Sequence, residues 1–552
     1  MMNEHQTRRI IWPLLIFFCV IWFYALGART LVPTDEGRYA EMAREMVATG
    51  DWITPRLNAI KYFEKPPLQV WMTALTFKFF GLGDWQARLW TGLCGLFGIA
   101  LTAYTGRKVF SERVGLTAGL VLASSFLWAG LGHINTLDMG LSGMMTLALC
   151  SLLLGQSAKE AIARRRWMLW CWAGMALSVM SKGLIGLVLP GAVLVLYTFF
   201  SRDWAIWKRL QLLPGLLVFF AITTPWFVLV SLQNPEFPHF FFIHEHFQRF
   251  TSKIHRREGP WYYFVPILVL GVLPWLTVTA QSLWHSARRE RSGFQPQKLL
   301  LVWVVFIFFF FSISRSKLPS YILPIFPALA LLIALHLENA GRKTWLAAAG
   351  FTTLLGAVGL ALVPMIAGWT KEPLDLEHYR AAQPWALAAA VVLLASGATL
   401  LWSMRQGRQH DVLPATLKLA IGGFLAGQLA MLATEPYGNY RSGLPMVAAI
   451  QAELTPQMTI YSVGMYDQTL PYYLRRTMTL VQHPDELEFG LEQEPQLWLP
   501  TIDAFLVKWA NGTKAIAITR PEVYAELQQR GVAMRVVTRD SRRVVLANDL
   551  KQ

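Results

Sequence analysis

Charge is what this sequence has least of. Only 15% of its 552 residues are Asp, Glu, Lys or Arg, against roughly a quarter in soluble globular chains. Such a shortage excludes a water-exposed surface over most of the chain. Cysteine is scarcer still. The four, Cys19, Cys94, Cys150 and Cys171, all lie in apolar stretches, so neither a disulfide framework nor a CxxC metal site is implied. The stretch after about Tyr437 shows no glycine-rich phosphate loop and no paired-ligand metal motif, and the sequence has no internal repeat. The last absence weighs against transporters and lipid flippases, which often carry repeated halves with polar sites near the bilayer midplane.

Hydrophobic residues, in contrast, make up 54% of the chain. They gather in runs long enough to cross a hydrocarbon core of about 30 Å. Thirteen spans are expected, over residues 10–28, 86–106, 114–132, 137–155, 167–181, 183–200, 211–231, 261–281, 298–313, 319–337, 345–367, 385–403 and 413–433. The first is expected to stay as an anchor, although Ala25–Ala28 faintly resembles a signal-peptide cleavage site. From about Tyr437 onward charge returns and short alternating segments appear, as in a small soluble α/β domain. The expected division is a transmembrane domain over 1–436, with long loops at 29–85 and 232–260, and a soluble domain over 437–552.

The net charge of +16 does not indicate nucleic acid, because much of it lies in short loops between spans. One set of alternate loops holds Arg8 and Arg9, Arg107 and Lys108, Arg164 to Arg166, Arg202, Arg288 and Arg289, Arg342 and Arg405. By the positive-inside rule these face the cytoplasm. An odd number of spans then puts the C-terminal domain outside, which in a bacterium means the periplasm.

The polar residues that break the apolar pattern collect on the other side. Asp35 and Glu36, with Arg38 and Tyr39, follow the first span and open an amphipathic helix, where negative charge also serves the helix start. Tyr62, Glu64 and Lys65 form a charged aromatic turn before a short apolar helix, from Pro66 on, read as lying in the membrane interface. His244 and His246 precede Arg249, Lys253, Arg256 and Arg257. Cations on the outer side call for an anionic partner, either a phosphate or lipid headgroups. Asp138 and Lys182 sit at outer ends of spans, where ionisable groups pair or serve function; a salt bridge between them is the leading reading. Arg315, Lys317 and Tyr321 form another cationic outer turn. A divalent ion, zinc or magnesium, is a further option, with Glu64 and His244 the better ligands. HxH alone is a weak signal.

Four motifs together resemble a known family: Pro33–Glu41, Tyr62–Leu68, Ser181–Gly183 and Ser316–Pro324. They resemble the bacterial aminoarabinose transferases that modify lipid A, members of the lipid-carrier-dependent C-type glycosyltransferases that include protein O-mannosyltransferases. The resemblance implies transfer of 4-amino-4-deoxy-L-arabinose from undecaprenyl phosphate to a lipid A phosphate, giving resistance to polymyxin and other cationic antimicrobial peptides. It implies that Asp35 is the essential first-loop acid, acting with Lys65 and Arg38. Lys182, Arg249 and Tyr321 fall at motif positions expected near the donor or acceptor phosphates. Tyr39, Tyr62, Asp138, Lys253, Arg256, Arg315 and Lys317 complete the expected substrate set. The partners expected are the carrier-linked sugar, lipid A and membrane lipids, with the chain a monomer. A related transferase with another sugar or a protein hydroxyl acceptor is the alternative within the class.

Overall fold

A computed structural model describes residues 4–248, 259–287, 293–369, 373–406, 411–511 and 513–548. Arg249, Lys253 and Arg256 lie outside the described residues. The chain forms two compact units: residues 1–28 with 88–436, and residues 29–87 with 437–552.

The first unit is helical. Each of the thirteen apolar segments expected from the sequence coincides with a helix or a pair of helices. Among the described residues, eight helices are individually long and apolar enough to cross a membrane, or up to nine if a bent pair counts as one span. Two shorter apolar helices, Trp12–Leu26 and Ile185–Ser201, add to these. The chain is a multi-pass membrane protein.

Two expected spans are broken rather than straight. Residues 261–281 contain the bent pair Phe264–Gly271 and Leu276–Ser286, turned by 109°, where Pro274 offers no backbone N–H. Residues 114–132 divide at Ser125 into Glu112–Ser124 and Phe126–Leu131. The two breaks satisfy each other. Phe126 N donates to Leu273 O at 3.3 Å, and Trp275 Nε1 donates to Ser124 Oγ at 2.9 Å. Backbone freed inside a bilayer is tolerated only when protein groups meet it in this way. The first helix, Glu4–Leu26, docks through Trp22, which is fully buried. Its indole donates to Gly92 O at 3.1 Å, and a Cβ on Gly95 or Gly132 would lie 2.7 Å from its ring.

The second unit joins the long first loop to the C-terminal residues. The loop supplies helix Asp35–Thr49, the hairpin β1 (Arg56–Leu57) and β2 (Ile60–Lys61), and helix Leu68–Phe80. The first and last coincide with the two helices expected in this loop. The remaining strands are β3 (Thr459–Val463), β4 (Thr479–Val481), β5 (Trp498–Leu499), β6 (Ala515–Thr519), β7 (Arg535–Arg539) and β8 (Val544–Ala547). They form one sheet in the order β5-β4-β3-β6-β8-β7. β5, β4, β3 and β6 run parallel, and β8 and β7 are antiparallel additions. This is the expected small α/β domain.

The hairpin tip locks to the sheet. Asn58 Nδ2 donates to Met478 O at 2.6 Å, and Met478 N donates back to Asn58 Oδ1 at 2.7 Å. Asn58 and Ala59 both have positive φ, 56° and 65°, a conformation costing a non-glycine residue about 1 kcal/mol. Glu45 offsets that cost. Its two carboxylate oxygens accept from Asn58 N and Ala59 N, each at 2.6 Å.

Candidate active site

In the second unit the acidic motif opens the helix Asp35–Thr49, and Asp35 and Glu36 occupy its first turn. Glu36 turns back to accept from Val32 N at 3.1 Å, a capping role. Asp35 remains available, with its side chain 31% exposed. Gly37 is where the motif allows a close approach. A Cβ there would lie 2.5 Å from Gln468 O, so only glycine lets the helix reach the C-terminal segment.

One turn along, Arg38 organises the cluster. Its Nη1 donates to Asp35 Oδ1 at 2.9 Å, its Nε to Glu486 Oε1 at 3.1 Å, and its Nη2 pairs with Glu486 Oε2. Gln468 Nε2 also donates to Glu486 Oε1, at 3.3 Å. The guanidinium lies 5.9 Å from the Tyr39 ring centroid and 6.0 Å from that of Tyr62. Burial opposes the charge on Arg38, but Tyr62, Glu486, Tyr39 and Asp35 outweigh it and hold the group protonated. Burial raises the phenols of Tyr39 and Tyr62 well above their usual range, so both are neutral. Burial also raises the Glu486 carboxyl, against the pull of Arg38. Lys65 Nζ donates to Glu64 O at 2.7 Å and lies 3.9 Å from Glu64 Oε2.

In the first unit, a second cluster sits where two helices and a 3-10 turn meet. Asp138 is in the first turn of helix Leu137–Ser157, and Lys182 ends helix Ala161–Lys182. Lys182 Nζ donates to Asp138 Oδ1 and lies 4.5 Å from the Tyr321 ring centroid. Tyr321 belongs to the turn Pro319–Ile325 and packs 5.1 Å from Phe311. Lys317 is buried, and its ammonium donates to Ser312 O at 2.6 Å and Ser314 O at 2.7 Å. It thus caps the C-terminal end of helix Pro296–Ile313. Arg315 is exposed. His244, in the segment His239–Gln248, stacks on Phe240 at 5.1 Å.

No group of three or more His, Cys, Asp or Glu side chains able to hold a metal ion is present among the described residues. Sequence reasoning missed Glu486 and Gln468, because nothing local in the C-terminal segment marks them as partners of the loop at Arg38.

A partly exposed acid, an arginine shared between carboxylates, buried phenols and a lysine–aspartate pair belong to a helical membrane protein with an appended α/β domain. That combination defines a membrane glycosyltransferase of the lipid-carrier-dependent class, and comparison with known proteins agrees. Residues 64–229 match the family model "Dolichyl-phosphate-mannose-protein mannosyltransferase", and residues 446–548 match "Aminoarabinose transferase C-terminal domain".

The chain is 32% identical over 514 residues to the undecaprenyl phosphate-alpha-4-amino-4-deoxy-L-arabinose arabinosyl transferase 1 of Pseudomonas fluorescens, covering 89% of this chain and 88% of that protein. It is 30% identical to the corresponding transferase of Edwardsiella ictaluri, over 83% of this chain and 85% of the relative. The crystal structure of ArnT from Cupriavidus metallidurans bound to undecaprenyl phosphate superposes with a TM-score of 0.92 at 43% identity, covering 98% of both chains. The chain belongs to the family of undecaprenyl phosphate–aminoarabinose arabinosyl transferases.

Proposed function

We propose that this chain transfers 4-amino-4-deoxy-L-arabinose from undecaprenyl phosphate to a phosphate of lipid A, at the periplasmic face of a bacterial inner membrane. The transfer places an amine on an anionic lipid and so confers resistance to polymyxin and other cationic peptides. The observation that carries this reading is the end-to-end likeness, over 98% of both chains, to a structure bound to undecaprenyl phosphate. The distribution of Arg and Lys among alternate loops supports a cytoplasmic N-terminus and a periplasmic C-terminal domain. The chain acts as a monomer on two lipids, with domain boundaries near residue 436.

The chemistry follows from two phosphates. An acceptor phosphate monoester has a second pKa near 6, so it arrives largely ionised and a general base is less necessary than for a hydroxyl acceptor. Its oxygen attacks the anomeric carbon, and the bond from that carbon to the carrier phosphate breaks. The electron pair leaves on undecaprenyl phosphate, and no net proton moves. Cations then dominate catalysis by meeting charge on the incoming and departing phosphates. Lys65, Lys182, Arg249, Lys253, Arg256, Arg315 and Lys317 are the proposed phosphate-facing set. Tyr39, Tyr62, Asp138 and Tyr321 shape the substrate site. Asp35, held by Arg38, orients the acceptor and stabilises positive charge on the sugar. The expected metal pair, Glu64 and His244, belongs to no three-donor group among the described residues, so no step is assigned to an ion.

The test is a mass spectrum of lipid A from a deletion strain with and without this gene. An aminopentose on a phosphate only in the complemented strain supports the reading. A hexose, or no change in lipid A, overturns it.

A further inference from the structure

The first unit carries an apolar cavity of about 450 Å³ between helices Glu4–Leu26, Asp84–Val109, Glu112–Ser124 and Val412–Leu432. The lining repeats at helical spacing: Leu96, Ile99, Ala100 and Ala103 form one stripe of the second of these helices. Small residues create the space, with Ala100 and Ala103 opposite Gly119, Ala123 and Ala420. The cavity is not sealed, because its lining residues Leu15, Phe17 and Ile421 expose 45%, 53% and 39% of their surface.

Its chemistry excludes polar ligands. The one hydroxyl in the lining, Ser124 Oγ, donates to Leu120 O at 2.6 Å and accepts from Trp275 Nε1 at 2.9 Å. Water needs two to four polar partners, whereas an apolar cavity of about 150 Å³ already takes up a benzene-sized molecule. A space three times larger, on helices that span a bilayer, suits a flexible hydrocarbon chain.

The position selects the source of that chain. Ala103 and Leu116 lie one helical turn from Arg107 and Glu112 at the tight connection between two helices. Asp138 follows the opposite end of helix Glu112–Ser124 and its continuation Phe126–Leu131. The lining runs along helix Glu112–Ser124 from Leu116 to Ser124, so the cavity comes within one helical turn of the basic turn, whereas helix Phe126–Leu131 stands between it and Asp138. Arg107, Lys108 and Arg113 are exposed at the basic turn, and Glu112 is the acidic residue among them, 3.9 Å from Arg107.

We propose that this cavity binds one acyl chain of an anionic phospholipid from the leaflet facing the basic loops, with Arg107, Lys108 and Arg113 holding its headgroup. This lipid is separate from the sugar donor and acceptor, and the site stands whether or not the proposed reaction is correct.

The test uses the full chain in nanodiscs containing phosphatidylglycerol with a photoactivatable group on its acyl chain, followed by mass-spectrometric mapping of adducts. Adducts are expected on the segments 96–103, 116–124 and 413–425. Ala100→Trp, which fills the cavity, should remove most of them. The double variant Arg107→Gln/Lys108→Gln should reduce preference for phosphatidylglycerol over phosphatidylcholine, by about fivefold for each cation. This second variant lies on the exposed turn and keeps the test decisive if the tryptophan variant does not fold. Equal labelling by the two lipids in the unmodified protein, adducts spread over all helices, or displacement by undecaprenyl phosphate would each overturn the proposal. The last outcome would reassign the groove to the sugar carrier.

Discussion

Arg38 and Glu486, 448 positions apart in the sequence, are joined by a two-point ion pair, with Nε to Oε1 at 3.1 Å and Nη2 to Oε2. The side chains are 6% and 14% exposed, so the pair is largely removed from water and its geometry is fixed. Through the remaining Arg38 nitrogen the pair also sets the position of Asp35. The C-terminal segment thereby helps to fix the position of Asp35.

Glu486→Ala is expected to strand the arginine charge. Removing one partner of a buried pair costs about 3 kcal/mol, which should appear as a lower melting temperature in detergent. Transfer to lipid A should fall with it, because Arg38 then competes with solvent for Asp35. Glu486→Gln keeps an acceptor for Nε and should recover much of the stability but less of the rate. Equal activity of Glu486→Ala and the unmodified enzyme would show that the pair plays no part in positioning.

Asp35→Asn and Lys65→Ala should each abolish polymyxin resistance while leaving the amount of protein in the membrane unchanged. Neither side chain is in a packed core: Asp35 is 31% and Lys65 21% exposed. Loss of one preorganised charge facing a phosphate typically lowers the rate by about 100-fold or more. Quantitative immunoblotting beside a growth assay in polymyxin separates loss of chemistry from loss of protein. Full resistance in either variant removes that residue from the mechanism.

The pH dependence of stability has a specific source in Glu45. Burial beside Glu41 pushes the Glu45 carboxyl up to about 8, whereas an unfolded Glu titrates near about 4.3. The folded state thus binds a proton more readily than the unfolded state between these values. The stabilisation is complete below the lower value and is lost as pH rises toward the upper one. Glu45→Gln should lower stability at every pH, since its amide nitrogen cannot accept from the backbone N–H of Asn58 or Ala59. It should also flatten the decline in melting temperature from pH 5 to 8 by about 3 °C or more. An unchanged slope would assign the titration elsewhere.

Much of this architecture was legible in the sequence because its signals are local. Apolar runs located the membrane helices, and the return of alternation after Tyr437 located the sheet. β5, only Trp498 and Leu499, is too short to carry a periodicity of its own. The breaks at Ser125 and Pro274 escaped because each is stabilised by the other, through the contact of Phe126 with Leu273. The site was half legible for the same reason. Asp35, Arg38, Tyr39 and Tyr62 stood out as polar residues in apolar surroundings, and Asp138 with Lys182 stood out as charges at span ends. Glu486 and Gln468 sit in a polar domain where a carboxylate or an amide is unremarkable, and only folding shows what they hold. The helix-capping role of Lys317 was equally hidden, since its acceptors, the backbone carbonyls of Phe311, Ser312 and Ser314, carry no side-chain signal.

The Asp138–Lys182 pair separates structure from chemistry by a double-variant experiment. Both side chains are mostly buried, 6% and 15% exposed, at the ends of membrane helices. Lys182→Met alone leaves Asp138 charged and unpaired, which should reduce the amount of folded protein, as breaking a buried pair does. Asp138→Asn/Lys182→Met removes both charges and should restore much of the folded protein. If Lys182 also meets a substrate phosphate, that restored protein remains inactive. The ammonium 4.5 Å from the Tyr321 ring is then missing from the site, and Tyr321→Phe, which keeps the ring, should retain folding. Aminopentose transfer measured per mole of folded protein decides the matter: recovery in the double variant limits the pair to a structural role, and persistent inactivity assigns Lys182 to the reaction.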